Sequence, residues 1–451
     1  MPPPTISPYG SWKSPITADL LLSGSVNLSQ PRFDGDNVYW LEGRPSERGR
    51  NVVVRLAPDG TMSDITPPDF SARTRAHEYG GGDYTVHDGI VTFANDADQR
   101  LYRQRPGQAP QPLTAEDGAR YADMQMDAAR GRLLAVREDH SGPGEAVNTL
   151  VAVALDDGAV TTLAAGNDFY SSPRLSPDGR RLAWLTWNHP NMPWDGTELW
   201  LAELAAGGTP RDARRVAGGP AESIFQPEWS PPSAGDNGML HFISDRSDWW
   251  NLYRLDDGGD GSATRLYAMD AEFGLPQWVF GMATYGFLDA GTIVCTYSRA
   301  GRRFMALLDT IGGQLQPLDV ALTGSMPAVG DGRAVYVGAS PTAAAAVVLL
   351  DLTGSRGSVR AEVLRRSTDF AVDEGYLSIA EPVEFPTTGG LTAHGYFYPP
   401  RNRDYSAPAG ELPPLIVTSH GGPTSATTGD LSLSRQYWTS RGFAILDVNY
   451  G

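Results

Sequence analysis

The chain has 451 residues, of which 41% are hydrophobic and 20% charged, and it carries a net charge of −17. That length exceeds one ordinary core and predicts two or more domains, the composition excludes a disordered chain, and the acidic balance excludes a non-specific nucleic-acid binder, which needs a basic surface. The single cysteine, Cys295, excludes an internal disulfide framework and a cysteine-rich metal site. No signal peptide and no membrane span is read, so the expectation is a soluble cytoplasmic protein with no membrane partner, no metal and no cofactor.

Most of the chain reads as short strands between glycine- and proline-rich turns. One unit recurs: an apolar strand, a turn, and a second strand with aromatic or aliphatic residues, ending in "DG" or "GG". The clearest copy is "SSPRLSPDGRRLAWLTWNHPNMPWDGTELWLAEL", from Ser171 to Leu204. Its "SPDG" is a tight turn, and "RLAWLTW" and "ELWLAEL" alternate as half-buried strands. A second copy starts at Phe225, and weaker copies begin near Phe33, Tyr84, Tyr121, Gly281 and Ala328. Such units cannot bury both faces alone, so they predict a seven-bladed β-propeller over residues 29–369. A pair of β-sandwiches is the competing architecture; a repeated "P-x-x-S-P-x-G" start favours the ring.

Within that region, three stretches hold candidate site residues. "RAHEYGGGDY" carries Glu78 and Tyr79 beside three glycines. It is either a loop reaching the central cavity or a turn between blades with Glu78 solvated or paired to Arg75. "DRSDWWNLYR" offers Trp249 and Trp250, which on a strand face opposite sides. Trp250 is a candidate pocket aromatic, against the alternative of blade packing. "WNHPNMPWDGTELW" holds His189 and Trp194 in a long insertion, read as a solvated hairpin tip in preference to a cavity-facing loop. "REDH", Arg137 to His140, resembles a mixed acid/base cluster, and a strand-end salt bridge explains it at least as well.

The pattern changes near residue 370. "YLSIAEPVEFPTTGGLTAHGYFYPP" is a hairpin. "PPLIVTSH" then reads as a strand buried on both faces. "GDLSLSRQYWTSRG" reads as a helix capped by Asp430 and stopped by Gly442, and "FAILDVNYG" as another buried strand. Strand, helix, strand is a parallel crossover, which places the start of an α/β domain at residues 370–451.

His420-Gly421-Gly422-Pro423 sits where the first of those strands ends, at the edge where α/β sheets bind ligands. Gly421 supports a tight turn, Gly422 lets a backbone N–H approach a reacting atom, and Pro423 fixes the exit direction. An N–H placed there stabilises the oxyanion of a tetrahedral intermediate, worth on the order of 3 kcal/mol per donor. The plain alternative is a tight strand-to-helix connection. The order of hairpin, strand, glycine turn, helix and strand favours the opening of an α/β-hydrolase.

"EPVEFPTTGGLTAHGYFYPP", "HGGPT" and "RGFAILDVNYG" resemble the start of the catalytic domain of the prolyl oligopeptidase family. "YGSWKSPITADLL", "HEYGGGDYTVHDG" and "SDRSDWWNLYRL" are similar to its acylaminoacyl-peptidase and aminopeptidase branch, puromycin-hydrolase-like members included. The resemblance covers nearly the whole chain. It implies a propeller capping an α/β-hydrolase with a Ser, Asp, His triad, and a segment, residues 1–28, that packs back on the hydrolase. It also implies that Gly422 N–H serves as an oxyanion donor, because His420 stands where some branches have a tyrosine. Propeller carboxylates hold the substrate amine in related exopeptidases, a role that would fall to Glu78, with Tyr79, His420 and Trp250 as further substrate contacts.

No G-x-S-x-G occurs in the sequence, so the triad is expected beyond residue 451, and the chain reads as the N-terminal portion of a longer enzyme. The expected activity is hydrolysis of short peptides or aminoacyl amides by an aminopeptidase, with the propeller limiting substrate size. An acylaminoacyl or dipeptidyl peptidase is the alternative, and a non-catalytic TolB-like propeller module is the alternative of another class. A homo-oligomer is left open.

Overall fold

A computed structural model describes residues 3–22, 24–233, 236–256, 261–354, 359–370, 372–422 and 424–449. Seven four-stranded antiparallel sheets follow one another along the chain, each a meander of consecutive strands. Their first strands are Asn27–Asp34, Tyr84–His87, Arg120–Asp127, Phe169–Leu175, Ile224–Trp229, Tyr285–Asp289 and Thr323–Gly330, and the sheets are numbered one to seven in that order.

The repeat lies in these first strands. The ladder slips between Ser29 and Arg32, Ala122 and Gln125, Ser171 and Arg174, Phe225 and Glu228, and Ser325 and Ala328. Pro31, Pro173, Pro227 and Pro327 fall inside these slips. Proline donates no N–H, so it is tolerated where a bulge has opened the ladder. Gln30, Asp123, Ser172 and Gln226 take left-handed φ values of 50°, 54°, 53° and 47° there. The bulge also turns a side chain toward the next sheet. Asp123 Oδ2 accepts from Ser172 N–H at 2.6 Å, and Gln226 Oε1 from Thr284 N–H at 2.6 Å.

Successive residues of a strand point to opposite faces, and both faces of a sheet are buried, one against each neighbour. Tyr39, Leu41 and Val53 of sheet one pack with Tyr84 and Phe93 of sheet two. Val335 and Val347 of sheet seven pack with Leu28, Trp40 and Val52 of sheet one, closing the ring. A charged latch reinforces the closure. Glu42 of sheet one, 1% exposed, accepts from Arg365 Nε of sheet seven at 2.8 Å and from Arg44 Nε at 2.9 Å. The first strands line a central cavity of about 470 Å³, with Gln30, Arg32, Arg174, Gln226 and Val329 in its wall.

After the ring comes a mixed sheet. Glu381–Pro386 and Thr392–Tyr398 form the hairpin, Thr392–Tyr398 pairs with Ala444–Asn449, and Ala444–Asn449 pairs in parallel with Leu415–Ser419. Among the described residues the strand Leu415–Ser419, expected to be buried on both faces, has one neighbour, and Leu415 and Val417 are 53% and 60% exposed. Ala444–Asn449 takes the interior position instead, with Ala444 and Ile445 buried.

The helix is also shorter than its sequence suggests, Leu433–Thr439, with Ser432 as N-cap. Asp430 does not cap it. Its carboxylate pairs with Arg303 of sheet six at 3.5 Å, and the following amide, Leu431 N–H, donates to Ser340 O of sheet seven at 2.8 Å. The residues before the helix are thereby drawn onto the ring. At the other end Gly442 takes φ +92°.

The N-terminal segment lies against this mixed sheet. Thr5–Ile6 pairs in parallel with Tyr405–Ser406, Ser14 Oγ bonds Ser440 Oγ at 2.7 Å, and Asn402 Nδ2 donates to Lys13 O at 2.8 Å. Trp12 and Ile16 are buried. Among the described residues no helix is long and apolar enough to cross a membrane.

Candidate active site

The strand Leu415–Ser419 ends at His420-Gly421-Gly422. Gly422 has φ +73°, a left-handed conformation that glycine adopts at little cost. Gly421 has no such requirement, and a Cβ placed on it would meet nothing within 4 Å. Pro423 lies outside the described residues. His420 Nδ1 donates to Gly421 O at 3.3 Å, which holds the ring along the turn. His420 also lines an open cavity of about 610 Å³ with Thr418, Thr427, Arg435 and Asp447. Arg435 and Asp447 form a close ion pair at its base, to which Thr427 Oγ1 also bonds.

Opposite the turn stands the ring. A Cβ on Gly422 would lie 3.4 Å from Cζ2 of Trp278, so the indole faces the turn at a distance that leaves room for little more than the glycine. Trp278 lies on the connection from sheet five to sheet six. Its ring centroid is 4.4 Å from that of Trp194, on the long insertion in sheet four, and 5.6 Å from that of Tyr79, on the connection from sheet one to sheet two. Tyr79 is 66% exposed.

The three glycines after Tyr79 explain how connections from distant sheets meet. Phe280 N–H donates to Gly80 O at 2.9 Å, and Gly81 bridges Phe280 as in a parallel ladder. Cβ atoms on Gly80, Gly81 and Gly82 would fall 2.2, 2.4 and 2.8 Å from backbone atoms of Thr74, Phe280 and Asp123. No other residue type permits that approach. The resulting strap crosses one mouth of the ring. Gly281 on its inner side lines the central cavity, while Trp278 on its outer side faces Gly422.

Glu78 begins this strap, with its side chain 74% exposed. Arg120 Nη1 donates to its Oε1 at 2.8 Å and lies 3.3 Å from Glu138 Oε2. The Arg120 hydrogen bond holds the Glu78 carboxyl below the usual carboxylate range. Arg75 is not its partner; that guanidinium sits 3.8 Å from Asp96. Two carboxylates thus share one guanidinium, and His140 Nε2 lies 2.9 Å from Glu138 Oε2. Behind them burial pushes the His77 imidazole below its ordinary pKa, and its Nε2 is 3.2 Å from Asn148 Oδ1.

The structure therefore brings Glu78, Tyr79, His420, Gly421 and Gly422 to one mouth of the ring. Trp250 is not among them. It packs on Phe225 and the shared core of sheets five and six, and its backbone N–H donates to Glu272 Oε2 at 3.0 Å. Its neighbour Trp249 is 38% exposed, and both tryptophans precede the strand Asn251–Leu255 instead of lying on it. Trp194, read as part of a solvated tip, instead backs Trp278. Trp278 and Arg120 carried no local signal, since "GLPQWVFG" and "GARYAD" match no motif.

No family model and no curated protein matches the chain. Among solved structures, a puromycin hydrolase in complex with PGG superposes with a TM-score of 0.90 at 38% identity, covering 99% of this chain and 69% of that one. A puromycin-hydrolyzing peptidase of Mycobacterium tuberculosis does so with a TM-score of 0.91 at 37% identity, covering 99% and 70%. A prolyl endopeptidase matches with a TM-score of 0.70 at 13% identity over 94% of this chain and 61% of that one, a likeness of fold. With the motifs "HGGPT" and "HEYGGGDY" in place on this fold, the chain belongs to the prolyl oligopeptidase family of serine peptidases.

Proposed function

We propose that this chain supplies the size filter and half of the oxyanion site of a cytoplasmic aminopeptidase. On this reading the closed ring is a seven-bladed β-propeller, residues 29–369, and residues 370–451 open an α/β-hydrolase unit against which residues 1–28 pack. The triad serine, aspartate and histidine lie outside these residues, which contain no G-x-S-x-G. A substrate carbonyl attacked by the serine places its developing oxyanion at Gly422 N–H, which stabilises charge present only in the transition state. The ring's loops stand over that turn, so folded proteins are kept out and short peptides or aminoacyl amides are admitted.

The observation that carries the aminopeptidase reading is the exposed carboxylate of Glu78 at the start of the strap. Glu78 and Glu138 share Arg120, and His140 lies beside Glu138. A substrate ammonium binds there through a charge-assisted hydrogen bond to exposed Glu78. Glu78→Gln should lower kcat/KM for aminoacyl anilides with a free amine by about tenfold. It should spare their N-acetylated counterparts. Equal losses on both substrate types would make Glu78 structural, and a wild-type preference for acetylated substrates would favour acylaminoacyl peptidase activity.

A dipeptidyl peptidase is the second reading. Two aromatic rings, Trp278 and Tyr79, separate Gly422 from the Glu78 region, with centroids 5.6 Å apart. That spacing favours an amine one residue further from the scissile carbonyl. Comparing aminoacyl with dipeptidyl anilides of the same terminal residue separates the two. A non-catalytic propeller module has lost its support, because the chain's relatives at 37% and 38% identity are hydrolases.

A further inference from the structure

We infer that Asp447 is a positioning residue for the oxyanion turn: its carboxylate holds both legs of the segment that carries Gly422, and so fixes where the Gly422 N–H points. This deepens the reading above and rests on Gly422 as the oxyanion donor.

Strand register carries the first step. Ala444–Asn449 runs parallel to Leu415–Ser419, with Asp447 opposite Thr418. Residues paired in this way point to the same face of the sheet, so the Thr418 hydroxyl meets the carboxylate and donates to Asp447 Oδ1 at 3.0 Å. That bond fixes the leg that enters the turn. The leg that leaves it returns to the same group, where Thr427 Oγ1 donates to Asp447 Oδ2. Asn449 stands two residues further along the strand and therefore on the same face. Its Oδ1 accepts from Thr427 N–H at 2.8 Å. Gly421 and Gly422 lie between the anchors at Thr418 and Thr427.

The carboxylate is itself fixed. Asp447 is 3% exposed and pairs with Arg435 of the helix Leu433–Thr439, whose Nη2 also donates to Thr427 Oγ1 at 2.8 Å. The guanidinium lies over the ring of Tyr398, 5.3 Å from its centroid, on the strand that flanks Ala444–Asn449 on its other side. A buried charge held by a cation and two hydroxyls is satisfied in one geometry only. The turn needs that support, because its glycines resist little rotation of their own. An N–H aimed at developing charge also acts only if it is in place before the charge appears. Hydroxyls on separate oxygens of one carboxylate set the spacing between the legs, which neither bond does alone.

The test uses the complete enzyme, with rates per titrated active site. The substrate is leucyl anilide, free or N-acetylated according to the wild type's preference, and the matching leucine acid and boronic acid serve as inhibitors. Thr427→Val keeps the side chain's shape and removes one hydroxyl. It should lower kcat about tenfold, while KM and inhibition by the acid change by less than about twofold. Inhibition by the boronic acid, whose tetrahedral adduct places an oxygen at the turn, should weaken about tenfold in parallel. Thr427→Ser keeps the hydroxyl and should restore most of both. Asp447→Asn should lower kcat about 100-fold; where it does not fold, Thr427→Val decides alone. Amide exchange over residues 419–426 should speed up in Thr427→Val and stay near wild type in Thr427→Ser. A lower Tm with unchanged kcat and boronic acid affinity would make the carboxylate merely structural and overturn the proposal. Unchanged exchange in the turn would overturn it too and leave Gly422 as the donor, whereas a loosened turn with full kcat would remove both.

Discussion

The strap at the ring's mouth makes a prediction with a magnitude. Replacing Gly81 by alanine puts a Cβ 2.4 Å from Phe280 O and 2.8 Å from Phe280 N, both backbone atoms that cannot rotate away. The residue also sits at φ +91°, where an alanine costs about 1 kcal/mol. Relief requires the two segments to separate, which sacrifices the Phe280 N–H to Gly80 O bond, worth about 1 kcal/mol net, and loosens packing around Trp278 by about as much again. The local loss is about 3 kcal/mol. Each 1.4 kcal/mol is a factor of ten, so hydrogen exchange at the Phe280 amide should speed up about 100-fold.

Two controls isolate the terms. Gly60→Ala shares the strained backbone, φ +83°, but its Cβ would meet nothing within 4 Å, so it should cost about 1 kcal/mol and leave Phe280 exchange unchanged. Gly421→Ala has neither strain nor neighbours and should leave exchange in the strap unchanged. Unchanged exchange at Phe280 in Gly81→Ala, or a cost equal to that of Gly60→Ala, would refute the close approach and with it the rigidity of the strap.

Further expectations concern closure of the ring and its response to pH. Glu42→Ala strands the Trp40 indole N–H, 3.3 Å from the carboxylate, and leaves Arg365 without its partner across the closure. It should destabilise by about 2–4 kcal/mol, with amide exchange rising first in sheets one and seven; uniform exchange across the ring would contradict the latch. His241 is 2% exposed, and burial pushes its pKa from 6.5 down to about 4. The unfolded chain therefore binds a proton there between about pH 6.5 and 4 that the folded chain does not. Stability should fall as pH drops through that window, by up to about 3 kcal/mol. His241→Gln should flatten that part of the stability profile, and an unchanged slope would show that other groups set it.

Strands and turns were legible because their rules are local. Alternation at every second residue marks "RLAWLTW" and "ELWLAEL", and "SPDG" announces its turn through Gly179, which takes φ +68°. The "HGG" turn after an apolar run was legible for the same reason, since a strand end and a glycine at positive φ are properties of neighbouring residues. Tertiary structure decided the rest. Asp430 reads as a cap, yet pairs with Arg303 because the ring is nearer than the helix's own amides. Glu78 chose Arg120 over Arg75, and Trp278 instead of Trp250 came to Gly422. Each of these pairings joins residues far apart in sequence, whose meeting depends on the summed twist and stacking of whole sheets. No local pattern encodes that sum, so the partners of a loop residue emerge only once the ring has closed.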